Sequence, residues 1–323
     1  MKSPLKKDLI YDFSPGQQQF LDEVLNGLRE SPKQLPTKYL YDERGSDLYE
    51  QICTLDEYYI PHTEATIMNT NIDEIVRLLG PNAMLIEYGC GSCTKTRVLL
   101  DNMVDLVAFV PVDISQEQLK QVAVDLHHCY PKLEILPVCA DYTTSFQLPS
   151  PEERYDRIVT YFPGSSIGNF DRHSALELLS NIASVCRPGG ALLIGIDLKK
   201  DIDVLHRAYN DRDGVTAAFN MNLLERINRD LKGDFQSGNF QHRAFYNPDE
   251  GRIEMHLVSL ENQTVHLDST AINFIKGESI WTESSYKYDL AGFQRLATDA
   301  GFTVARVWTD VKNWFSVQYL VAD

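Results

Sequence analysis

The sequence predicts an α/β protein: a doubly wound, mostly parallel sheet with a second, smaller α+β domain inserted into it. Three observations predict this. From Met84 onward, short apolar runs alternate with helical patterns, which is how βαβ units read. The first of those runs ends in a glycine turn, Glu87 to Ser92, directly before a helix. The alternation then breaks off for about ninety residues, Leu198 to Tyr288, before it resumes.

Taken in order, Ser14 before Pro15 signals a helix start, and Phe20, Val24, Leu25 and Leu28 fall on one face of that helix. No strand signal precedes it. A loop rich in aromatic and turn residues follows, with Tyr39, Tyr41 and Asp42 to Ser46, then a short helix carrying Leu48, Tyr49 and Ile52. After Tyr58, Tyr59 and Pro61, the stretch Thr63 to Gly80 is an amphipathic helix that Gly80 ends. The expected strands are Met84 to Glu87, Leu106 to Asp113, Leu133 to Asp141, Arg157 to Gly164 and Ala191 to Asp197. Helices at Thr94 to Asn102, Ser115 to Tyr130 and Arg172 to Val185 separate them, and Arg187-Pro188-Gly189-Gly190 leads into the fifth strand. The interrupting block begins helically, with Leu205, Tyr209, Leu223, Leu224 and Ile227. It turns to β with Ala244 to Tyr246, a turn at Asn247 to Gly251, and the alternating Ile253, Met255 and Leu257. A helix Leu290 to Ala300, a turn at Gly301 and strands Thr303 to Trp308 and Phe315 to Ala322 close the sheet with an antiparallel hairpin. The expected division is a core of 62–197 and 289–323, with 8–61 and 198–288 forming the substrate domain.

Composition narrows the function. At 323 residues and 43% hydrophobic content the chain can bury a large core. A formal charge of −16 argues against unaided binding to nucleic acid or to an anionic membrane, because phosphate rewards clustered Lys and Arg. A small, partly cationic substrate suits it better. The six cysteines are scattered, and Met1 to Lys7 lacks the apolar core of a signal peptide, so reduced thiols and a cytoplasmic location are expected. No window holds the roughly 18 to 20 continuous apolar residues of a membrane span. The eight histidines show no metal-ligand spacing, and no metal is expected. Cys90-Gly91-Ser92-Cys93 has the spacing of a redox or zinc pair, but it lies within the glycine turn and has no second pair.

The chemistry concentrates at the strand ends, beyond which ligands of open α/β sheets bind. Glycines at 89 and 91 allow a sharp turn and let a ligand approach the backbone. Glu87, two positions before Gly89, with no third glycine of the dinucleotide fingerprint, resembles the first motif of class I S-adenosylmethionine (SAM) methyltransferases. That motif alone leaves a nicotinamide site or a plain turn open. Asp113 ends the second strand, where a carboxylate can take both ribose hydroxyls. Asp141 and Tyr142 end the third, offering a carboxylate for an adenine amino group and a ring near the purine. Each aspartate singly could be a solvated strand end or a helix cap. Three acidic strand ends in order, with the Arg-Pro-Gly-Gly loop, favour SAM.

Beyond the cofactor motif, longer strings resemble one family. Tyr41 to Leu48, Glu57 to Glu64, Glu87 to Arg97, Tyr161 to Phe170, Arg207 to Tyr209, Thr216 to Asn220, Arg252 to Met255 and Thr282 to Lys287 are similar to the histidine Nα-methyltransferases of ergothioneine biosynthesis. The resemblance runs from about Leu35 to the C-terminus and includes the interrupting block; Cys90 and Cys93 depart from it. It implies a class I, Rossmann-like fold and three SAM-dependent methylations of the α-amine of L-histidine, giving hercynine. It assigns Gly89, Lys95, Asp113, Asp141 and Tyr142 to the cofactor, with Gly164 behind its methionine portion. Asn169, Tyr41 and Tyr209 would hold the substrate carboxylate and orient the amine, as the residues nearest the chemistry. Glu283 and Ser285 would bond the imidazole, and Tyr58 and Met255 would shape its pocket. The donor inventory agrees, since phenols and an amide donate to a carboxylate while a carboxylate and a hydroxyl accept from imidazole N–H. A tyrosine or Met255 is by default a core residue, and Glu283 could instead be a solvated charge, a reading that the match around it disfavours. The rival readings are a methyltransferase for another aromatic amino acid or amine, a SAM sensor without turnover and, least in keeping with the acidic charge, a tRNA-modifying enzyme. The expected assembly is a monomer.

Overall fold

Residues 10–323 are described by a computed structural model; Met1 to Lys7 and the first two positions of the expected 8–61 segment lie outside the described residues. A strand that the sequence did not announce comes first, β1 (Tyr11–Phe13), too short to show a period. The helix expected at Ser14-Pro15 starts later, as α1 (Gln17–Arg29), because the Asp12 carboxylate takes the Ser14 N–H and holds the chain in a turn. Phe20, Val24 and Leu28 form its buried stripe. The two-residue β2 (Lys33–Gln34) and a 3-10 turn at Thr37–Leu40 lead to α2 (Glu43–Thr54), whose N-cap Asp42 accepts the Gly45 N–H at 2.8 Å. The next helix, α3 (Ile60–Leu79), begins before Thr63 because Pro61 fits a first helical turn, and it stops at Gly80.

The alternating block folds as β3 (Ala83–Tyr88), α4 (Arg97–Asn102), β4 (Ala108–Asp113), α5 (Gln116–Cys129), β5 (Glu134–Ile135), β6 (Val138–Ala140), β7 (Arg157–Phe162), α6 (Arg172–Cys186) and β8 (Ala191–Asp197). Every residue of β3, β4 and β8 is buried, which explains their continuous apolar sequence. The single strand expected over Leu133 to Asp141 is two, split around Pro137, which has no N–H for the ladder. The interrupting block holds α7 (Ile202–Tyr209), α8 (Val215–Leu231), β9 (Phe240–Asn247), β10 (Arg252–Ser259), β11 (Gln263–Leu267), β12 (Thr270–Phe274) and β13 (Ser279–Tyr286). The chain closes with α9 (Leu290–Asp299), β14 (Phe302–Thr309) and β15 (Phe315–Ala322).

The main sheet runs β1-β6-β4-β3-β7-β8-β15-β14, with β5 also beside β4. It is parallel from β1 to β8, and β15 and β14 are antiparallel, as the closing hairpin predicted. The chain leaves β3 toward β4 and later returns to its other side as β7, so the strand order reverses at the C-terminal end of β3, where a crevice opens. A second sheet, β2-β13-β10-β9, joins the N-terminal segment to the interrupting block, with Lys33 and Gln34 opposite Ile280 and Trp281. Strand β13 carries a bulge: Glu283 faces Met255 and Trp281 faces His256, leaving Thr282 as the extra residue. Burial changes phase there, from Ile280 and Thr282 to Glu283 and Ser285. Among the described residues no helix is long and apolar enough to cross a membrane.

Candidate functional site

The crevice above β3, β4 and β6 opens into a cavity of about 670 Å³, within the range of small-molecule sites. The turn after β3 forms its floor. Gly89 and Gly91 take φ values of +70° and +50°, which side chains adopt only under strain. The Gly89 and Cys90 amides both donate to the Val112 carbonyl, at 2.9 and 3.2 Å, folding the turn over β4. The Gly91 amide then donates to Asp113 Oδ2, and the Ser115 amide to Asp113 Oδ1, both at 2.9 Å. Burial nonetheless raises the Asp113 pKa, with these bonds opposing it. Glu87, below the turn, is buried, and one of its oxygens has no partner. Burial pushes its carboxyl up to about 8.

At the next strand end, Asp141 accepts from the Thr143 amide and hydroxyl and pairs with the Lys38 ammonium at 2.9 Å. Burial works to raise its pKa, but these bonds hold it below the usual carboxylate range. The Tyr142 ring lies against the turn: a Cβ on Gly89 would sit 3.7 Å from it. Lys95, where the turn leads into α4, lies 3.2 Å from Glu64 of α3. The two Glu64 oxygens in turn accept the Gly164 amide, at 2.9 and 3.1 Å. This ties α3, the glycine turn and the end of β7 together at the cavity wall.

A smaller cavity of about 40 Å³ adjoins the first, and Tyr41 and Asn169 line both. Asn169 ends the 3-10 turn after β7. Tyr58, Gly164, Tyr209, Met255, Glu283 and Ser285 line the smaller one. Glu283 is 9% exposed, and its Oε2 has no hydrogen-bond partner. Burial pushes its carboxyl up to about 7, against the pull of the Lys287 charge. The Tyr209 hydroxyl donates to Ser285 Oγ at 2.8 Å, so in this arrangement its proton is already engaged. Behind both hydroxyls, Lys287 pairs with Asp197 at 2.7 Å, and Tyr59 and Lys200 also donate to Asp197.

All the residues singled out from the sequence therefore line one of two adjoining cavities. Gly89, Lys95, Asp113, Asp141 and Tyr142 line the larger, and the others the smaller or both. The sequence reading missed Lys38, Glu64, Asp197 and Lys287. Glu64 and Lys287 lay within the matched strings, and a charged residue in an otherwise apolar or aromatic setting was the available signal. The pair Cys90 and Cys93 sits at the ends of a turn closed by the Cys93 amide on the Cys90 carbonyl, and both are free thiols. No group of three His, Cys, Asp or Glu side chains is arranged to hold a metal among the described residues.

The family described as "Histidine-specific methyltransferase, SAM-dependent" matches residues 20–322. The histidine N-alpha-methyltransferase of Mycolicibacterium smegmatis is 39% identical over 305 residues, covering 93% of this chain and 94% of that protein. Ergothioneine biosynthesis protein 1 of Neurospora crassa is 29% identical over 299 residues, 87% of this chain and 32% of that protein. Among solved structures, the magnesium protoporphyrin IX methyltransferase of Synechocystis PCC 6803 aligns over 87% of this chain and 95% of its own, with 12% identity and a TM-score of 0.43.

Proposed function

The chain belongs to the histidine-specific, SAM-dependent methyltransferases, and from that premise we propose that it transfers three methyl groups in turn to the α-amine of L-histidine, giving hercynine for ergothioneine biosynthesis. It is a SAM-dependent N-methyltransferase of the class I fold that acts on a small molecule. The observation that carries the histidine reading is the buried, unpartnered Glu283 oxygen beside Ser285, in a small cavity joined to the larger one. A ring with two polar nitrogens satisfies both groups, and a wrong side chain would leave them unpaired.

In this reading Asp113 takes the ribose hydroxyls, Asp141 and Tyr142 hold the adenine, and the Gly89 turn, Lys95 and Gly164 hold the methionine portion. The donor set fits such a group: buried carboxylates at successive strand ends, and a turn whose glycines keep the backbone open. Asn169 and Tyr41, shared by the two cavities, anchor the carboxylate and present the amine, while Tyr209 acts beside Ser285. Tyr58 and Met255 close the ring pocket. The N-terminal segment and the interrupting block, which share the second sheet, act together as the substrate domain.

The sulfonium supplies an already activated methyl, so the residues of this chain work chiefly by positioning. The amine, with a reference pKa of roughly 8, must lose a proton before it attacks. Burial raises the Tyr41, Tyr58 and Tyr209 hydroxyls, which keeps them protonated. The proton therefore passes to water, with no strong dedicated base. A monomer in the cytoplasm, without nucleic acid or membrane partners, accords with the acidic charge. The test is incubation with SAM and histidine followed by mass spectrometry: successive gains of one, two and three methyl groups are expected, and no gain removes the histidine assignment.

A further inference from the structure

The Lys287 ammonium is fully buried and has three N–H groups, each with a partner: Asp197 at 2.7 Å, Ser285 Oγ at 2.7 Å and the Tyr209 hydroxyl at 3.1 Å. An ammonium donates only. The Tyr209 hydroxyl donates in turn to Ser285 Oγ at 2.8 Å. Ser285 Oγ thus receives two hydrogen bonds, which fill both of its lone pairs, and its own hydrogen is left to donate. Ser285 lines the small cavity, and so does Glu283, two residues earlier on the same buried face of β13. With the Glu283 carboxyl ionised, the cavity therefore presents one donor and one acceptor, side by side.

From this geometry we infer that Lys287 is a positioning residue: it commits Ser285 to donate, so that the pocket takes an imidazole ring neutral and in one tautomer, N–H toward Glu283 and bare nitrogen toward Ser285. The inference rests on the histidine reading above. A doubly protonated ring would aim its second N–H at an oxygen with no free lone pair, and would bring a cation toward the Lys287 ammonium. Asp197 on β8 keeps that ammonium in place. The other charged or titratable groups around it are Lys200 and Tyr59, which also bond Asp197, Tyr209 on α7 and Glu283 on β13, while Tyr41, Tyr49 and Tyr58 line the small cavity beside Glu283.

Two measurements test it. The first compares kcat/KM for histidine with that for β-pyrrolylalanine, which keeps a ring N–H and has C–H in place of the bare nitrogen, using an analogue whose N–H can face Glu283. The wild-type ratio should be about 100-fold, because the Ser285 hydrogen goes unanswered. It should fall below about 10-fold in Lys287→Met and Lys287→Gln, since Ser285 is then free to turn. A ratio that stays near its wild-type value in either folded variant, with both substrates losing equally, would reduce Lys287 to a structural role and overturn the inference. S-adenosylhomocysteine binding by calorimetry reports folding. The second measurement needs no variant. The KM for histidine, divided by that for the 1,2,4-triazole analogue whose ring stays neutral, should rise about tenfold between pH 7.5 and 5.5 as the imidazole, with a reference pKa of about 6.5, takes up a proton. A flat or falling ratio overturns the inference. Failure of the wild-type protein to methylate histidine at any pH sinks the functional reading instead, and is seen before either comparison is made.

Discussion

The Lys38 ammonium lies 2.9 Å from the Asp141 carboxylate and 2.8 Å from Glu23, so the segment between β2 and α2 reaches the rim of the larger cavity and fastens one of its carboxylates to α1. Lys38→Met leaves Asp141 without its countercharge and free to swing. S-adenosylhomocysteine affinity should fall roughly tenfold, about 1.4 kcal/mol, as read by calorimetry. An unchanged Kd would mean that the Thr143 bonds alone hold Asp141.

Glu283 links function to pH-dependent stability. Its pKa is pushed from 4.5 up to about 7 by burial. An acid whose pKa rises on folding gives its full stabilisation below the unfolded value, and loses it as pH climbs through the folded one. Above pH 7 the protein without substrate therefore carries a buried anion. Glu283→Gln removes that titration, so its stability advantage over the wild type should be about 1 kcal/mol larger at pH 8 than at pH 6, measured by urea denaturation. The same variant should lose about 100-fold in kcat/KM for histidine, with cofactor affinity changed by less than about twofold. An advantage that shrinks with pH, or equal losses for both ligands, would contradict this division of the site.

Gly195 of β8 sits behind the Glu64 carboxylate. A Cβ there would meet Glu64 Oε1 at 2.5 Å, Phe315 Cζ at 2.8 Å and the Gly164 nitrogen at 3.1 Å. Gly195→Ala should cost about 1 to 3 kcal/mol by overpacking and weaken cofactor binding, because Glu64 is displaced from Lys95 and Gly164. Gly238→Ala, with nothing within 4 Å of the new Cβ, should stay within about 0.5 kcal/mol. Thermal melts with and without S-adenosylhomocysteine separate the two.

Asp197 balances two buried ammoniums, those of Lys287 and Lys200. Asp197→Asn leaves both without a countercharge and should cost about 3 to 5 kcal/mol. Burial already lowers the Lys200 pKa to about 8. A base whose pKa falls on folding binds fewer protons folded than unfolded, so this group favours folding more as pH rises. The variant should therefore recover part of its deficit between pH 7 and pH 9. A deficit constant across that range would show that Lys200 is not the strained cation.

The sequence made the sheet and the lining of the larger cavity legible because both follow from position along strands. Doubly buried strands are apolar throughout, and Gly89, Asp113 and Asp141 at or just beyond their ends line the crevice. The short β1 and β2 carried no period to read. Strand β13 was hidden for a different reason: its inward face is polar and its alternation is broken at Thr282, so Glu283 and Ser285 were found through resemblance alone. The ion pairs of Lys38 with Asp141 and of Lys287 with Asp197 join residues far apart in the chain, and nothing local to any one of them names its partner.

The unpaired Thr282 has a further consequence. With that residue left out of the pairing, Glu283 and Ser285 face inward, and the Thr282 hydroxyl holds the kink by donating to the Met255 carbonyl at 3.0 Å. Were Thr282 instead to take the place opposite Met255 in an unbroken ladder, Glu283 would shift to face Glu254, and the carboxylate and the serine would point to the opposite side of the ribbon. The inward aim of these two side chains therefore depends on where the chain stores one surplus residue, and a slip of pairing by a single place, with no letter changed, would undo it.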